Sequence, residues 1–360
     1  MSSSRKIRIL YTTPNFDTAG SGKVIYDLAK ELDKEKFEVE IACSNNKGAF
    51  FQEVEKLNLP IHLIQTTCKL KPYFSILQRI KPYKEFIKKN KFDIVHSWHW
   101  SSDWTEVLGA KFGGAKFVYT KKAMTWGNIH WKIRSYLSDF ILTINPEMRN
   151  YFSYKKNQAL VPLGIDTDYY KPLGDTVKTN QKFKIITVAN LVAVKGIEVL
   201  IRAIHELQNT AIVLEVLGDT RDPYALVLEA LVAELKMESQ VTFLGKHTDV
   251  RPFLEQADLY VIPSKKEGQG MALVEAMSMG LPVLGSDISG INYVLQDFKE
   301  YLFEEGNAVL LSEKIDFIYK KSPVERREIG QAMREYCLAN FSIQKFIKSH
   351  EALYFSLIKQ

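Results

Sequence analysis

The stretch "DLYVIPSKKEGQGMALVEAMSMGLPVLGSD", Asp258 to Asp287, decides the fold. An apolar run, Leu259 to Ile262, leads into a loop holding Gly268 and Gly270; a helical pattern follows, then a second apolar run, Pro282 to Leu284. Strand, glycine loop, helix and strand make a βαβ unit, which requires a parallel sheet. A glycine loop that opens a helix also offers unpaired N–H groups and the positive end of a dipole, a cradle for an anion. Glu267 ends the polar part of the loop, and Glu275 falls about a turn and a half into the helix. A carboxylate there can accept two hydrogen bonds from vicinal hydroxyls such as those of a ribose. Spacing alone leaves open a pair of exposed glutamates, although the setting of Glu275 between "ALV" and "AMSM" speaks against it.

The same alternation runs outward in both directions. Strands are expected at residues 7–13, 39–43, 61–64, 94–97, 117–120 and 140–144 in the first half, and at 184–189, 213–217, 241–244, 259–262 and 282–284 in the second, with helical patterns between nearly every pair. Periodicity breaks in "VPLGIDTDYYKPLGDTVKTNQKF", where Pro162, Gly164, Pro172 and Gly174 accumulate. Two parallel α/β domains follow, residues 1–160 and 165–340. The last helix, residues 341–360, is expected to cross back to the first. A chain of 360 residues suits about two cores.

Near the start, "TAGSGKV", Thr18 to Val24, joins a strand to a helix and ends in Gly-Lys. A Walker A loop needs glycine five residues before that pair and Ser or Thr after it, and these positions hold Asp17 and Val24. Both requirements fail, which speaks against a P-loop nucleotidase and favours either a tight connecting turn or an anion cradle at the helix start.

Composition narrows the class. Hydrophobic residues make up 46% and charged residues 25%, as in a folded globular chain. The three cysteines, Cys43, Cys68 and Cys337, have no metal-ligand spacing, and no apolar run approaches the roughly 20 residues of a membrane helix. A cytoplasmic location is expected. Residues 1–160 carry 26 lysines and arginines against 15 acids, whereas the remainder carries 22 against 27. The basic first half points to an anionic partner. Its densest part, Lys69 to Lys91, holds eight basic residues against Glu85, interleaved with Phe74, Leu77, Ile80, Phe86 and Ile87. Such a segment suits either an anionic membrane surface, making the protein peripheral at the inner face of the cell membrane, or a crossover helix with a solvated lysine face. No nucleic-acid signature accompanies it.

Taken together, the glutamate pair, "VANLVAVKGIEVLIRAI", "VLGDTRDPY", "VTFLGKHTDVRPFLEQADLYVIPS", "VPLGIDTDYYKP" and "TAGSGKVIYDLAKEL" resemble the retaining GT-B glycosyltransferases of family four (glycosyl transferases group 1) over nearly the whole chain. The resemblance implies two facing Rossmann-like domains with a deep cleft between them. It implies an acceptor-binding first domain, a second domain holding a nucleotide-diphosphate sugar, with a UDP-sugar favoured, and closure that excludes water. It assigns donor contacts to Gly20, Ser21, Asn190, Lys195, Gly268, Gln269, Gly270, Met271 and Glu275, with Glu267 at the donor sugar and Lys195 at the leaving diphosphate. Lys23 is incidental.

Two departures stand out. The family pairs its lysine with an arginine, but Asn190 stands there, and Lys265 or Arg251 is expected to substitute. The family histidine two residues after His96 is replaced by Trp98, so His99 or Asp103 is expected to take its catalytic place. Trp98, with Lys121 and Lys122 at the end of a strand in the first domain, is expected to meet the acceptor; packing of Trp98 in a wall and a solvated lysine pair are the alternatives. Asp166 to Asp168, "DTD", reads as a solvated turn, not a metal site. The implied reaction is metal-independent, hexosyltransferase-type sugar transfer with retention to a glycan or lipid-linked acceptor in polysaccharide or lipopolysaccharide biosynthesis. The rival readings are a GT-B sugar-nucleotide epimerase and a catalytically inactive GT-B binding protein.

Overall fold

The computed structural model describes residues 5–17, 19–48, 50–124, 126–174 and 182–359, with only the backbone of 19–21. The chain divides into two compact units, residues 1–164 with 343–360, and residues 165–342.

In the first unit, β1 (Ile7–Thr13), β2 (Phe37–Cys43), β3 (Ile61–Leu63), β4 (Ile94–Ser97), β5 (Lys116–Lys121), β6 (Phe140–Thr143) and β7 (Gln158–Leu160) form a parallel sheet ordered β3-β2-β1-β4-β5-β6-β7. In the second, β8 (Phe183–Val188), β9 (Ile212–Leu217), β10 (Val241–Gly245), β11 (Leu259–Ile262), β12 (Val283–Ser286) and β13 (Leu302–Phe303) form a parallel sheet ordered β10-β9-β8-β11-β12-β13. Each sheet is buried on both faces, which is why its strands read as continuous apolar runs. Each order reverses once, between β1 and β4 and between β8 and β11. In open parallel sheets ligands bind at the carboxyl ends of the strands flanking that reversal. The edge strands β7 and β13, of three and two residues, were not expected from the sequence.

The pleat of β4 sorts its side chains. His96 and Trp98 face the last helix, Ile343–Ile358, which belongs to the first unit. His96 Nδ1 lies 2.6 Å from the Tyr354 hydroxyl and its Nε2 lies 2.7 Å from Thr120 Oγ1. His350 stacks on both His96 and Trp98. Its Nδ1–H donates to the Phe346 carbonyl at 2.9 Å, and its Nε2 has no partner among the described residues. Burial pushes the His350 pKa down to about 4 against the Phe346 hydrogen bond, and burial together with the charges of His350 and Lys122 holds His96 well below the ordinary value.

Both rings are therefore neutral in the fold at pH values where the unfolded chain protonates them. Stability is fully present above the unfolded value near 6.5 and falls as the pH drops toward 4, by about 1.4 kcal/mol per pH unit per ring. We expect melting curves to shift downward between pH 6.5 and 5, and His350→Phe to flatten that slope. An unchanged slope would remove His350 from the account.

Lys69 to Lys91 is not one amphipathic helix. A 3-10 turn, Tyr73–Ser75, leads into the short helix Ile76–Arg79 and then helix Lys81–Asn90. Tyr83 and Ile87 of the latter are buried, and it packs on helix Thr105–Phe112, where Gly109 and Gly113 leave them room. No helix among the described residues is long and apolar enough to cross a membrane.

Candidate active site

The second unit assembles its polar residues at the β8/β11 reversal. After β8 the chain runs through Asn190, which is exposed, into the turn Ala193–Lys195 and helix Ile197–Glu206. Gly196 joins turn to helix at φ 64°, and a Cβ there would lie 2.0 Å from the Pro263 carbonyl, so only glycine lets the Lys195 turn sit against the end of β11. That contact brings Lys195 Nζ to 2.5 Å from Glu267 Oε1, and Ser264 Oγ donates to the same oxygen at 3.0 Å. An ammonium has three protons, so this pairing leaves others for a second acceptor. Lys265 continues the joint, with its N–H donating to Val194 O at 2.8 Å and its Nζ 2.7 Å from Glu198, which also accepts from the Tyr224 hydroxyl at 2.6 Å.

Beyond Glu267 the loop passes through Gly268 and the buried Gln269 to Gly270, at φ 79°, where helix Met271–Ser278 begins. Gly290 supports the loop from behind, since a Cβ there would meet the Glu267 and Gly268 backbone at 2.6 Å. Met271 and Glu275 are half-buried on the helix. Glu275 hydrogen-bonds the buried Tyr170 hydroxyl, and Tyr170 is pushed above the ordinary tyrosine range first by burial and then by that carboxylate. Tyr170 carries a signal that sequence reasoning missed, an aromatic pair directly after "DTD". "DTD" itself is a turn: Asp166 Oδ1 accepts the N–H groups of Asp168 and Tyr169 at 3.0 and 2.9 Å. Among the described residues no group of three His, Cys, Asp or Glu is arranged to hold a metal ion.

Neither expected substitute for the missing arginine is uncommitted. Lys265 is neutralised by Glu198, and Arg251 pairs with Asp249 at 2.7 Å while lying 3.6 Å over the Tyr169 ring.

In the first unit, the β1/β4 reversal gathers a buried network. Ser97 and His99 point to the face opposite His96 and Trp98. Glu106, fully buried on helix Thr105–Phe112, accepts from Arg134 Nη2 at 2.8 Å and Ser97 Oγ at 2.7 Å, and from Thr12 on its other oxygen. His99 Nε2 lies 3.2 Å from Thr66 Oγ1 and 3.7 Å from Glu106. Burial opposes the charge on Glu106, but His99, Arg134 and the Thr12 hydroxyl outweigh it and hold the carboxyl below its ordinary value. Burial lowers the His99 pKa despite Glu106. Asp103 Oδ1 accepts the Thr105 N–H at 2.7 Å and its hydroxyl at 2.6 Å, starting that helix. Glu106 and Arg134 gave no sequence signal beyond charge on an apolar helix face.

Two expected acceptor contacts need correction. The Trp98 ring is fully buried beneath His350, and Lys121 is buried with its ammonium 3.8 Å over the Trp131 ring, its pKa pushed down to about 8 by burial and Arg134. Lys122 is half-buried, donates to the Trp98 carbonyl, and is pushed by burial down to about 7. Helix Ala19–Glu31 takes Gly20 and Ser21 into its first turn, and their side chains lie outside the described residues. Lys23 pairs with Asp27 at 3.3 Å.

Two family models match the chain, Glycosyltransferase Family 4 over residues 18–169 and Glycosyl transferases group 1 over residues 174–336. The chain belongs to the group 1 GT-B glycosyltransferases. This glycosyltransferase is 27% identical to the N-acetyl-alpha-D-glucosaminyl L-malate synthase of Bacillus anthracis over 176 residues, 49% of this chain and 46% of that one. Its fold matches a glycosyltransferase from Rickettsia africae with a TM-score of 0.88 at 21% identity, covering 99% of this chain and 100% of that one. The Anabaena protein HepE, solved with UDP and glucose, matches with a TM-score of 0.79 at 16% identity over 97% of this chain and 100% of that one.

Proposed function

We propose that this glycosyltransferase moves a hexose from a nucleoside diphosphate, with UDP favoured, to a hydroxyl of a glycan or lipid-linked acceptor, retaining the anomeric configuration and using no metal. The carrying observation is the pairing of Lys195 with Glu267 at the β8/β11 reversal, a cation and a carboxylate held together beside a helix start. In this reading Lys195 and the N–H groups from Gly270 onward receive the diphosphate, Glu267 meets the sugar hydroxyls, and Glu275, oriented by Tyr170, takes the ribose diol. The anomeric C–O bond to phosphate breaks while a C–O bond to the acceptor forms on the same face, and the acceptor's hydroxyl proton passes to the departing phosphate oxygen. Lys195 stabilises charge that grows as that bond breaks. His99, Asp103 and Lys122 are the acceptor-side candidates. The UDP bound by HepE and the basic first unit support this assignment, the latter favouring an anionic or lipid-linked glycan of the cell surface made at the inner face of the membrane.

Calorimetry with UDP, GDP and ADP, each with and without EDTA, tests the donor side. UDP binding that EDTA leaves unchanged is expected, and Glu275→Gln should weaken it about tenfold to a hundredfold by removing a charged hydrogen-bond acceptor. Binding of none of the three nucleotides would favour an inactive binding protein. Isomerisation of the donor without acceptor would favour an epimerase.

A further inference from the structure

Phe74 is 91% exposed, Leu77 65% and Tyr73 52%, three large apolar side chains within five consecutive residues. They stand on a turn that is tied down. Arg79 donates through Nε to Lys69 O at 3.1 Å and through Nη2 to Leu70 O at 3.2 Å and Pro72 O at 2.8 Å, while Ile76 and Ile80 are buried beneath. Arg79 is thus a clasp inside the loop and not a surface cation. The surface charge comes from lysines: Lys69, Lys71 and Lys81 flank the turn, and Lys88, Lys89 and Lys91 continue along helix Lys81–Asn90, all exposed. Glu85 is the one acid from residue 69 to 91.

We propose that the Tyr73–Leu77 turn and its surrounding lysines dock this protein on an anionic lipid bilayer. Rigid apolar tips enter the boundary between headgroups and acyl chains, and lysines on flexible stems reach the lipid phosphates around them. Charge complementarity selects this occupant. A second copy meeting the same patch across a two-fold axis would bring lysines against lysines. The inference extends the proposed membrane-face location and not the transfer chemistry. Vesicle binding is read without donor, so its failure leaves the donor site standing, and failure of nucleotide binding leaves the docking surface standing.

The test is co-sedimentation of the full chain with phosphatidylcholine vesicles, with and without phosphatidylglycerol, at about 0.1 M salt and above. Sedimentation with the anionic vesicles alone, weakening as salt rises, is expected. Phe74→Ser with Leu77→Ser should cut it about tenfold or more, and Lys69→Glu with Lys71→Glu and Lys81→Glu should abolish the lipid preference. These side chains are exposed, so circular dichroism and melting should match the parent and certify the fold. Absence of binding, equal binding to neutral vesicles, or an unchanged serine variant overturns the proposal. So does a concentration-dependent dimer in sedimentation velocity that the serine variant loses.

Discussion

Lys195→Ala should lower kcat about a hundredfold to a thousandfold, the range for losing one preorganised charge at a site where negative charge develops. No other cation takes its place, because Lys265 and Arg251 are held against Glu198 and Asp249 and not against Glu267, and Asn190 carries no charge. The fold should survive: Lys195 sits in a short turn whose backbone is fixed by its N–H to Val192 O at 2.9 Å and by Gly196 against Pro263, and Glu267 keeps the Ser264 hydroxyl. Because the leaving diphosphate gains charge only as its bond to the sugar breaks, the loss should fall on kcat more than on the donor KM. Steady-state kinetics with the UDP-sugar selected by calorimetry separates the two. A raised KM at unchanged kcat would make Lys195 a ground-state binder and sink its role in bond breaking. Lys195→Arg should recover only part of the rate, since a planar fork does not reproduce a compact point charge.

The sheets were legible in the sequence because both faces of each are covered. The apolar runs at Ile7–Thr13, Ile94–Ser97 and Leu259–Ile262 are the strands themselves, bounded by polar punctuation. The glycine loop after β11 was legible for a related reason, since glycine spacing and the two glutamates lie within one continuous βαβ unit. The other site residues depend on strand faces and distant partners, which one sequence does not encode locally. In "IVHSWHW" five polar or aromatic residues follow one another, and the pleat sends alternate ones of the first four to opposite sides. His96 and Trp98 go under a helix more than 240 residues away, where Tyr354 and His350 wait. Ser97 and His99 go to Glu106 and Arg134. The β1 register repeats the division, with Tyr11 beside His96 and Thr12 beside Ser97. Trp98 was thus read as a ligand contact at a position whose face only the completed sheet fixes.

Arg134→Met should destabilise the first unit by about 3–5 kcal/mol, because it leaves the Glu106 carboxylate buried without its cation. Both side chains are fully buried, and the guanidinium also donates to Ser97 Oγ at 2.7 Å and lies over the Tyr119 ring at 4.7 Å. For a unit of this size the melting temperature should fall by roughly 2–4 °C per kcal/mol. Removing the charge from both partners, in Arg134→Met with Glu106→Gln, should restore much of the loss, since a buried ion pair contributes little net stability compared with an uncharged replacement. A single variant melting within 1 °C of the parent would contradict the burial of the pair. The double variant also separates stability from function. His99 touches the fold on this side through Thr66 and the Glu106 carboxylate, so a neutral amide should leave its ring less firmly placed. If the double variant regains its melting temperature but not its turnover, and its pH–rate profile shifts, the buried pair serves to position His99. If turnover returns with stability and the profile is unmoved, the network is structural and the group that positions the acceptor must be sought at Asp103 or Lys122.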